Sequence, residues 1–298
     1  MAVIAEKQTL SKAKPFLKWA GGKTQLLPEV ESRLPESIKT GEIETYVEPF
    51  VGGGAVFFHI AQKYESIKHF YLFDINEDLV NCYNTIKSDA DSLVEKLKTL
   101  EKKFYARKRP QQKDYYYQLR DEFNSDRSTA KLIFLNKTCY NGLYRVNSKG
   151  EFNVPFGDYK KPTICSEDNL RAVSGILQSA EIICGDFEIS KEYITKKTFI
   201  YIDPPYRPLS ATASFTSYSK DSFSEQDQIR LAEFCKQTHS KGAKFLLSNS
   251  DPKNEDPEDH FFEDKYKGFV IDTVKANRAI NCKATGRGKI HELIVSNY

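Results

Sequence analysis

Four consecutive residues combine a stiff backbone with hydrogen-bond acceptors: Asp203, Pro204, Pro205 and Tyr206. They follow the apolar run 198–202, which predicts a buried parallel strand. Open α/β sheets bind their ligands at the carboxyl ends of such strands. Each proline fixes φ and lacks an N–H, so the turn offers carbonyl oxygens without competing donors. The motif therefore predicts a site that accepts N–H hydrogen bonds.

Such a row of acceptors suits a planar aromatic amine, whose lone pair is conjugated into its ring. If the Asp203 carboxylate and the Pro204 carbonyl accept its two N–H bonds, the nitrogen is drawn towards tetrahedral geometry and the lone pair is freed. Tyr206 can then stack on the ring face. The alternative is a plain strand-terminating turn with a capping Asp203. One motif does not define a function, so the rest of the chain must supply a group to transfer.

A glycine-rich turn and a strand-end carboxylate predict a site for an adenosine-type ligand. The predicted strand 45–50 leads into Gly52, Gly53 and Gly54, where the backbone can approach a ligand at a helix N-terminus. Asp74 follows the next predicted strand some 20 residues later, the distance at which Rossmann-like folds place a carboxylate on ribose hydroxyls. The alternative for Asp74 is a helix N-cap.

The stretch 15–24 contains a further candidate ligand site. Its sequence Gly22-Lys23-Thr24 is not a phosphate-binding P-loop, because that motif needs a glycine where the chain has Leu17. Trp19 and Lys23, four residues apart, could place a ring and an ammonium on one ligand. The alternative is a tryptophan in the core and a lysine on the surface.

Positive charge is concentrated in one part of the chain. The net charge is only +3, but residues 101–161 contain 14 Lys or Arg against 7 Asp or Glu. Helices are predicted over 79–103 and 115–134, and aromatic residues alternate with the basic ones. The segment 136–150 mixes the side chains that contact bases and phosphates in DNA. A solvated helical cap is the alternative.

Cysteine usage and hydropathy exclude several classes of protein. The six cysteines are scattered without a C-x-x-C pair or neighbouring histidines, which predicts reduced thiols and neither disulfides nor a metal site. No stretch approaches the roughly 20 apolar residues that span a bilayer. The sequence therefore predicts a cytoplasmic protein that does not bind membranes.

Taken together, these motifs resemble the Dam-type DNA adenine-N6 methyltransferases, which use S-adenosylmethionine. The resemblance covers nearly the whole chain and is closest to the GATC-recognising branch, including enzymes of restriction-modification systems. The motifs occur in the family's order: FLKWAGGK at 16–23, YVEPFVGGGAVFF at 46–58, DIN at 74–76, YNGLYRVNSKGEFNVPFG at 140–157, GDF at 185–187 and YIDPPY at 201–206.

The resemblance implies an α/β protein with the Rossmann-like fold of S-adenosylmethionine-dependent methyltransferases and an inserted helical DNA target-recognition domain. Residues 1–77 and 166–298 would form the catalytic domain, and 78–165 the insert. The partner would be duplex DNA, from which an adenine is flipped and methylated without a metal. We expect a monomer, with a weak dimer on DNA as the alternative.

The resemblance also assigns roles to residues. Lys23 would lie near the cofactor's carboxylate, and Asp74 would hold its ribose. The catalytic residues would be Asp203, Pro204, Pro205 and Tyr206. The residues implied in cofactor binding are Trp19, Ala20, Gly21, Lys23, Glu48, Pro49, Phe50, Gly52, Gly54, Asp74, Ile75, Asp186, Phe187 and Asp203. The residues implied in DNA binding are Lys18, Tyr140, Asn141, Leu143, Arg145, Asn147, Pro155 and Tyr159.

One position departs from the family. Members often carry arginine where this chain has Asp158, which predicts that a phosphate contact is missing there. Three other functions remain open at this stage: methylation of cytosine N4, action on RNA, and a DNA-binding regulator that has kept the fold without catalysis.

Overall fold

A seven-stranded sheet forms the centre of the protein. The structure is a computed structural model that describes residues 12–207, 223–277 and 289–298. The sheet order is β3-β2-β1-β4-β5-β7-β6. The first five strands in that order are parallel, and β7 runs antiparallel to both of its neighbours. The strands are β1 (Thr45–Glu48), β2 (His69–Asp74), β3 (Ala180–Cys184), β4 (Thr198–Ile202), β5 (Lys244–Ser250), β6 (Val270–Asn277) and β7 (Lys289–Ser296).

Helices flank the sheet, which confirms the prediction of an α/β protein. The helices are α1 (Leu27–Ser32), α2 (Glu36–Lys39), α3 (Ala55–Lys63), α4 (Glu77–Tyr105), α5 (Arg109–Asp126), α6 (Thr129–Thr138), α7 (Glu167–Leu177), α8 (Glu225–Ser240) and α9 (Phe261–Lys265). Short 3₁₀ turns cover Lys23–Gln25, Tyr140–Gly142, Phe187–Tyr193 and Pro252–Asn254.

The central strand β4 is buried along its whole length. All five of its residues are buried, because β1 and β5 pair with its edges and an apolar cluster packs on each of its faces. This is the pattern expected of an uninterrupted apolar run in a parallel sheet. The strand thus holds the start of the turn that follows it in a fixed place.

The helical region 115–134 differs from the sequence prediction of a single helix. The chain breaks at Arg127, whose φ is +51°, so α5 ends at Asp126 and α6 begins at Thr129. A positive φ is unfavourable for a residue with a side chain. Tertiary contacts hold it there, since the Arg127 guanidinium donates to the Asp78 carboxylate at 3.0 Å and to the Gly150 carbonyl at 2.6 Å.

The segment predicted as an insert, 78–165, contains most of α4, all of α5 and α6, and an irregular stretch up to α7. Its core is continuous with one face of the sheet: Phe134 and Phe152 belong to the same buried cluster as Tyr46 and Phe70. The segment 78–165 and the sheet therefore share one core of apolar side chains.

Other sequence expectations concern cysteines, metals and membranes. The five cysteines within the described residues are free thiols. In the same part of the chain, no cluster of His, Cys, Asp or Glu is arranged to hold a metal ion. None of the helices in the described ranges is long and apolar enough to cross a membrane.

The Glu31 carboxylate links α1 to the carboxyl-terminal half of α3. Glu31 accepts a hydrogen bond from the Tyr64 hydroxyl at 2.6 Å, lies 2.6 Å from His59 Nε2 and forms an ion pair with Lys63. Burial alone would raise the pKa of Glu31, but these three partners outweigh it and lower the pKa from 4.5 to about 2. The ionised carboxylate is thus favoured by folding.

This cluster predicts a component of acid sensitivity. Because the pKa of Glu31 is lowered on folding, its contribution to stability is complete above about 4.5 and is lost as the pH falls towards 2. We expect the free energy of unfolding of Glu31→Gln to fall less steeply than that of the wild type over this range, as measured by urea unfolding at a series of pH values. Glu95→Gln, at an exposed carboxylate, should retain the wild-type slope; equal slopes for Glu31→Gln and the wild type would contradict the prediction.

Candidate active site

The turn 203–206 lies at the carboxyl end of β4, beside the carboxyl end of β1. From β1 the chain continues outward to β2 and β3 on one side, whereas β4 and β5 lie on the other. The crevice between β1 and β4 is therefore the point where the strand order reverses, and such points form ligand sites in open α/β sheets. The predicted position of the acceptor turn matches this crevice.

Two side chains from other elements hold the Asp203 carboxylate. The Lys23 ammonium lies 2.8 Å from Asp203 Oδ1, and the Ser248 hydroxyl donates to the same oxygen at 2.9 Å. Burial raises the pKa of Asp203, although Lys23 and Ser248 oppose that rise. The site thus pairs a desolvated carboxylate with a lysine that is itself only 8% exposed.

Two buried amide side chains hold the rest of the turn through hydrogen bonds to its backbone. Gln228 of α8 donates its side-chain amide to the Pro205 carbonyl at 3.0 Å, and Asn249 of β5 accepts from the Arg207 backbone N–H at 3.2 Å. Both amide side chains are fully buried and bonded to each other at 3.1 Å. The Pro205 carbonyl is thus engaged within the protein, whereas no donor from residues 12–207, 223–277 or 289–298 bonds to the Pro204 carbonyl.

Tyr206 presents its ring beside this carboxylate. The Lys23 ammonium lies over the ring, 4.6 Å from its centroid. At the other end of the side chain, the Tyr206 hydroxyl donates to the Glu292 carboxylate of β7 at 2.9 Å. The Lys23 ammonium thus donates to Asp203 beside the Tyr206 ring. This is the position that the sequence analysis predicts for the amine of an aromatic ligand stacked on Tyr206.

The glycine turn and Asp74 form the neighbouring part of the crevice. The Asp74 carboxylate accepts from the backbone N–H of Gly52 at 3.1 Å and of Asn76 at 2.9 Å. The N-cap of α4 is Asn76, whose side chain accepts from Leu79, so the alternative that Asp74 is this cap is wrong. Burial raises the pKa of Asp74, and the backbone donors oppose the rise.

Close packing explains the last glycine of the turn. Gly54 has a φ of +70°, and a Cβ there would come within 2.5 Å of the Tyr83 hydroxyl. That hydroxyl also donates to the Gly52 carbonyl at 3.0 Å. A glycine is needed at 54 both for its backbone conformation and for the buried tyrosine that supports the turn.

The residues of the first motif line the same crevice. The Trp19 ring lies against the glycine turn, since a Cβ on Gly52 would be 3.1 Å from Trp19 Cδ1. Ala20 and Gly21 are exposed, and the Gly21 carbonyl accepts from the Lys23 ammonium at 2.8 Å. Trp19 is half-buried rather than a core residue, and Lys23 is buried rather than a surface residue.

Beyond Asp74, Ile75 is 62% exposed at the carboxyl end of β2. Asp186 follows β3, where its carboxylate accepts from the backbone N–H of Glu188 at 3.0 Å and from the Arg230 guanidinium at 3.0 Å. Phe187 is only 2% exposed and packs on Phe50, with ring centroids 5.5 Å apart. The backbone near Phe187 can line a ligand site, whereas its ring belongs to the core.

Glu48 and Pro49, at the end of β1, are both buried. The Tyr46 hydroxyl donates to the Glu48 carboxylate at 2.6 Å. Burial raises the pKa of Glu48 well above its ordinary value. Glu48 therefore lies buried near the carboxylates of Asp203 and Asp74, whose charges also raise its pKa.

The predicted recognition residues gather around the segment 140–159. Tyr140 is 55% exposed, Asn141 is exposed with a φ of +55°, and Pro155 is exposed while its carbonyl accepts from the Tyr140 backbone N–H at 2.8 Å. The Lys18 ammonium lies over the Tyr159 ring, 4.3 Å from the centroid. These side chains are available to a large ligand.

Three other predicted recognition residues are engaged within the protein to different degrees. Arg145 is exposed but donates to the side chain of Asn153 at 2.7 Å. Asn147 shapes the turn 147–151, because its carboxamide oxygen accepts from two backbone N–H groups and its amide donates to the Glu151 carboxylate. Leu143 is half-buried against the core cluster.

A buried asparagine joins the segment 140–159 to the first motif, residues 16–23. Asn136 of α6 is 1% exposed; its carboxamide accepts from the Lys18 N–H at 2.9 Å and donates to the Lys18 carbonyl at 2.8 Å. It also donates to the Gly142 carbonyl at 3.0 Å. Next to this clamp, the rings of Trp19 and Tyr144 stack with centroids 5.2 Å apart. The crevice and the recognition segment are thus one connected surface.

The acid at position 158 has a basic partner. The Arg109 guanidinium of α5 donates to Asp158 at 2.9 Å and to the carbonyls of Gly157 and Tyr159 at 2.7 and 3.1 Å. A guanidinium is therefore present at this loop, although it comes from another helix and is partly neutralised by Asp158.

Sequence reasoning did not assign roles to several of these residues. Asn136, Gln228, Asn249 and Ser248 are polar residues within buried parts of helices and strands, and this is the one signal that could have marked them. Glu292 carried no such signal, since its role depends on a strand pairing far along the chain.

The chain is similar to known DNA methyltransferases over most of its length. The family profile described as "D12 class N6 adenine-specific DNA methyltransferase" matches residues 19–280. The chain is 52% identical over 293 residues to "Type II methyltransferase M.MjaIII" of Methanocaldococcus jannaschii, covering 96% of this chain and 99% of that protein. It is 39% identical to "Type II methyltransferase M1.LlaDCHI" of Lactococcus lactis subsp. cremoris, covering 96% and 95%. It is 37% identical to the "DNA adenine methylase" of Serratia marcescens, covering 96% and 98%.

The loop at Asp158 generates a test of the recognition surface. We expect Asp158→Arg to tighten binding of duplex DNA, because it removes the acid that partly neutralises Arg109 and adds a cation. One added phosphate contact should steepen the slope of log affinity against log salt by about 0.9. Fluorescence anisotropy across a salt series measures both quantities. Glu36→Arg has the same charge change but lies outside this segment and is the control. An unchanged salt slope for Asp158→Arg would contradict the prediction that the loop at 157–159 lies against DNA phosphates.

Proposed function

The chain belongs to the D12 class of N6 adenine-specific DNA methyltransferases, and we propose that its turn 203–206 is where the target adenine is held for methylation. As a member of that family it is an adenine-specific DNA methyltransferase, which decides against cytosine N4, RNA and a silent regulator as its function. We further propose that the sheet has the Rossmann-like methyltransferase arrangement, which the reversal of strand order between β1 and β4 supports.

S-adenosylmethionine fits the crevice between β1 and β4. Asp74 is fixed by two backbone N–H groups and can hold a ribose diol, the exposed Ile75 offers an apolar surface to an adenine, and the glycine turn permits close approach. The other residues that would hold the cofactor are Trp19, Ala20, Gly21, Glu48, Pro49, Phe50, Asp186 and Phe187. When bound, the cofactor supplies an electrophilic methyl group.

The protein's part in the reaction is to hold and polarise the amine of the base. Asp203 and the Pro204 carbonyl accept the two N6–H bonds, so the nitrogen lone pair is directed away from the adenine ring. Tyr206 supports the base by stacking. When the methyl group passes to N6, its bond to the cofactor's sulfur would break and N6 would then give up one proton. Asp203, whose pKa is raised by burial, would be placed to accept that proton first.

One observation carries this proposal. The Lys23 ammonium donates to Asp203 at 2.8 Å while lying over the Tyr206 ring. This geometry supports a site built to accept N–H bonds from a nitrogen above the tyrosine face. For an adenine to enter, the ammonium has to leave, and the cofactor's carboxylate is the destination that the resemblance implies for Lys23.

We propose that the DNA is engaged by the segment 78–165 as a target-recognition domain inserted into a catalytic domain of 1–77 and 166–298. Base flipping would bring the adenine to the turn, with Tyr140 and Asn141 at the site of extrusion. Lys18, Leu143, Arg145 and Pro155 would contact base edges, and Asn147 and Tyr159 would support them. We propose a monomer as the active unit, with a weak dimer on DNA as the alternative.

For the target sequence we propose GATC, and for the biological role restriction-modification. The sequence motifs are most similar to the GATC-recognising branch. The names of the relatives from Methanocaldococcus jannaschii and Lactococcus lactis, type II methyltransferases, support the role.

The role of the turn is tested by Asp203→Ala. We expect this variant to retain binding of cofactor and DNA but to lose nearly all transfer of tritiated methyl groups to duplex DNA, because the N6 lone pair is no longer released. Since the substitution leaves Lys23 without its buried partner, Asp203→Asn serves as a variant of unchanged shape. Substantial turnover in both variants would refute the assignment.

The target sequence is tested by digestion of DNA from an expressing host. GATC-cutting nucleases that adenine methylation blocks should fail to cut this DNA, and those that require the methylation should cut it. DNA from a host expressing Asp203→Ala is the matched control. Cleavage identical to that control would exclude GATC while leaving the chemistry in place.

A further inference from the structure

Tyr206 is held at both ends of its side chain by charged groups. Its ring faces the Lys23 ammonium at 4.6 Å, and its hydroxyl donates to the Glu292 carboxylate at 2.9 Å. Burial and then the nearby carboxylates of Asp203 and Glu292 raise the pKa of Tyr206 well above its ordinary value, so the phenol remains a donor. The ring therefore has one defined hydrogen bond that sets its plane.

Glu292 comes from a part of the chain unrelated to the catalytic motif. It lies on β7, 86 residues beyond Tyr206, and pairs in register with Ser250 of β5 and Val274 of β6. Because β7 is held on both sides, the carboxylate is attached to a rigid strand.

A carboxylate at this place has a second effect, on the ring itself. The π face of an aromatic ring attracts cations through its quadrupole, and the Lys23 ammonium already lies on this face. A phenol that donates to an anion keeps more electron density on its oxygen and ring. During methyl transfer the adenine gains positive charge, so a stacked ring of this kind stabilises the transition state more than the ground state.

We propose that Glu292 is a positioning residue for the methylation step, which fixes the plane of Tyr206 and strengthens its attraction for the base as that base becomes positively charged. The proposal rests on the stacking role assigned to Tyr206 above. In this role Glu292 acts through the tyrosine hydroxyl and not by contact with the substrate.

The test is a double-mutant cycle on the rate of the chemical step. We expect Glu292→Gln, which keeps size and an acceptor but loses charge, to slow single-turnover methyl transfer about 3-fold, and Glu292→Leu about 10-fold. Dissociation constants for duplex DNA and S-adenosylmethionine should stay within about 2-fold, since a stabilisation made mainly in the transition state affects the rate and not the binding.

The diagnostic comparison uses Tyr206→Phe, which removes the hydroxyl and keeps the ring. In that background, both substitutions at Glu292 should have no further effect on the rate, because the group through which they act is absent. Full additivity of the losses, a wild-type rate in both Glu292 variants, or weakened DNA binding equal to the loss of rate would each overturn the proposal.

Two controls separate this role from general stability and from the function proposed for the turn. Glu233→Gln on α8 removes a charge from an exposed ion pair with Lys236 and should leave the rate unchanged. If Glu292→Leu unfolds at the assay temperature by circular dichroism, Glu292→Gln alone decides. Tyr206→Ala tests the stacking role independently, because normal methylation by this variant would contradict the role assigned to Tyr206. If Tyr206→Ala is inactive while the Glu292 variants keep the wild-type rate, only the inference about Glu292 is overturned.

Discussion

The structure of the site depends on one buried ion pair, that between Asp203 and Lys23. A carboxylate in a desolvated crevice needs a partner, because an unpaired buried charge costs several kcal/mol. Here the partner comes from the first motif, some 180 residues earlier in the chain, and Ser248 adds a hydroxyl from β5. The pair draws the amino-terminal loop across the carboxyl ends of β1 and β4, which closes the crevice from one side.

The same loop, residues 16–23, contacts both the acceptor turn and the segment predicted to recognise DNA. Asn136 holds the backbone of Lys18, the residue directly before Trp19, with two hydrogen bonds that mimic those of a strand. Trp19 in turn lies between the glycine turn and Tyr144. A short stretch of chain thus contacts the predicted cofactor site, the acceptor turn and the segment predicted to recognise DNA.

Much of this could be predicted from sequence because the signals are local. The run 198–202, in which four of five residues are apolar, predicts β4, and the prolines predict a turn with acceptors, so this segment needed no tertiary information. The single helix predicted over 115–134 was wrong because Arg127 adopts a positive φ that only its contacts with Asp78 and Gly150 explain. Local helical propensity cannot encode such contacts.

The order of the motifs, the acceptor chemistry of Asp203 and Pro204, and the family of the chain can all be read from the amino-acid sequence. The folded chain alone reveals that Lys23 lies on the acceptor turn, that Tyr206 bonds to Glu292 and that Arg109 bonds to Asp158. The physical reason is that each of these contacts joins residues far apart in the chain. Their proximity follows from the order of strands in the sheet and from the packing of helices, which no local pattern of residues specifies.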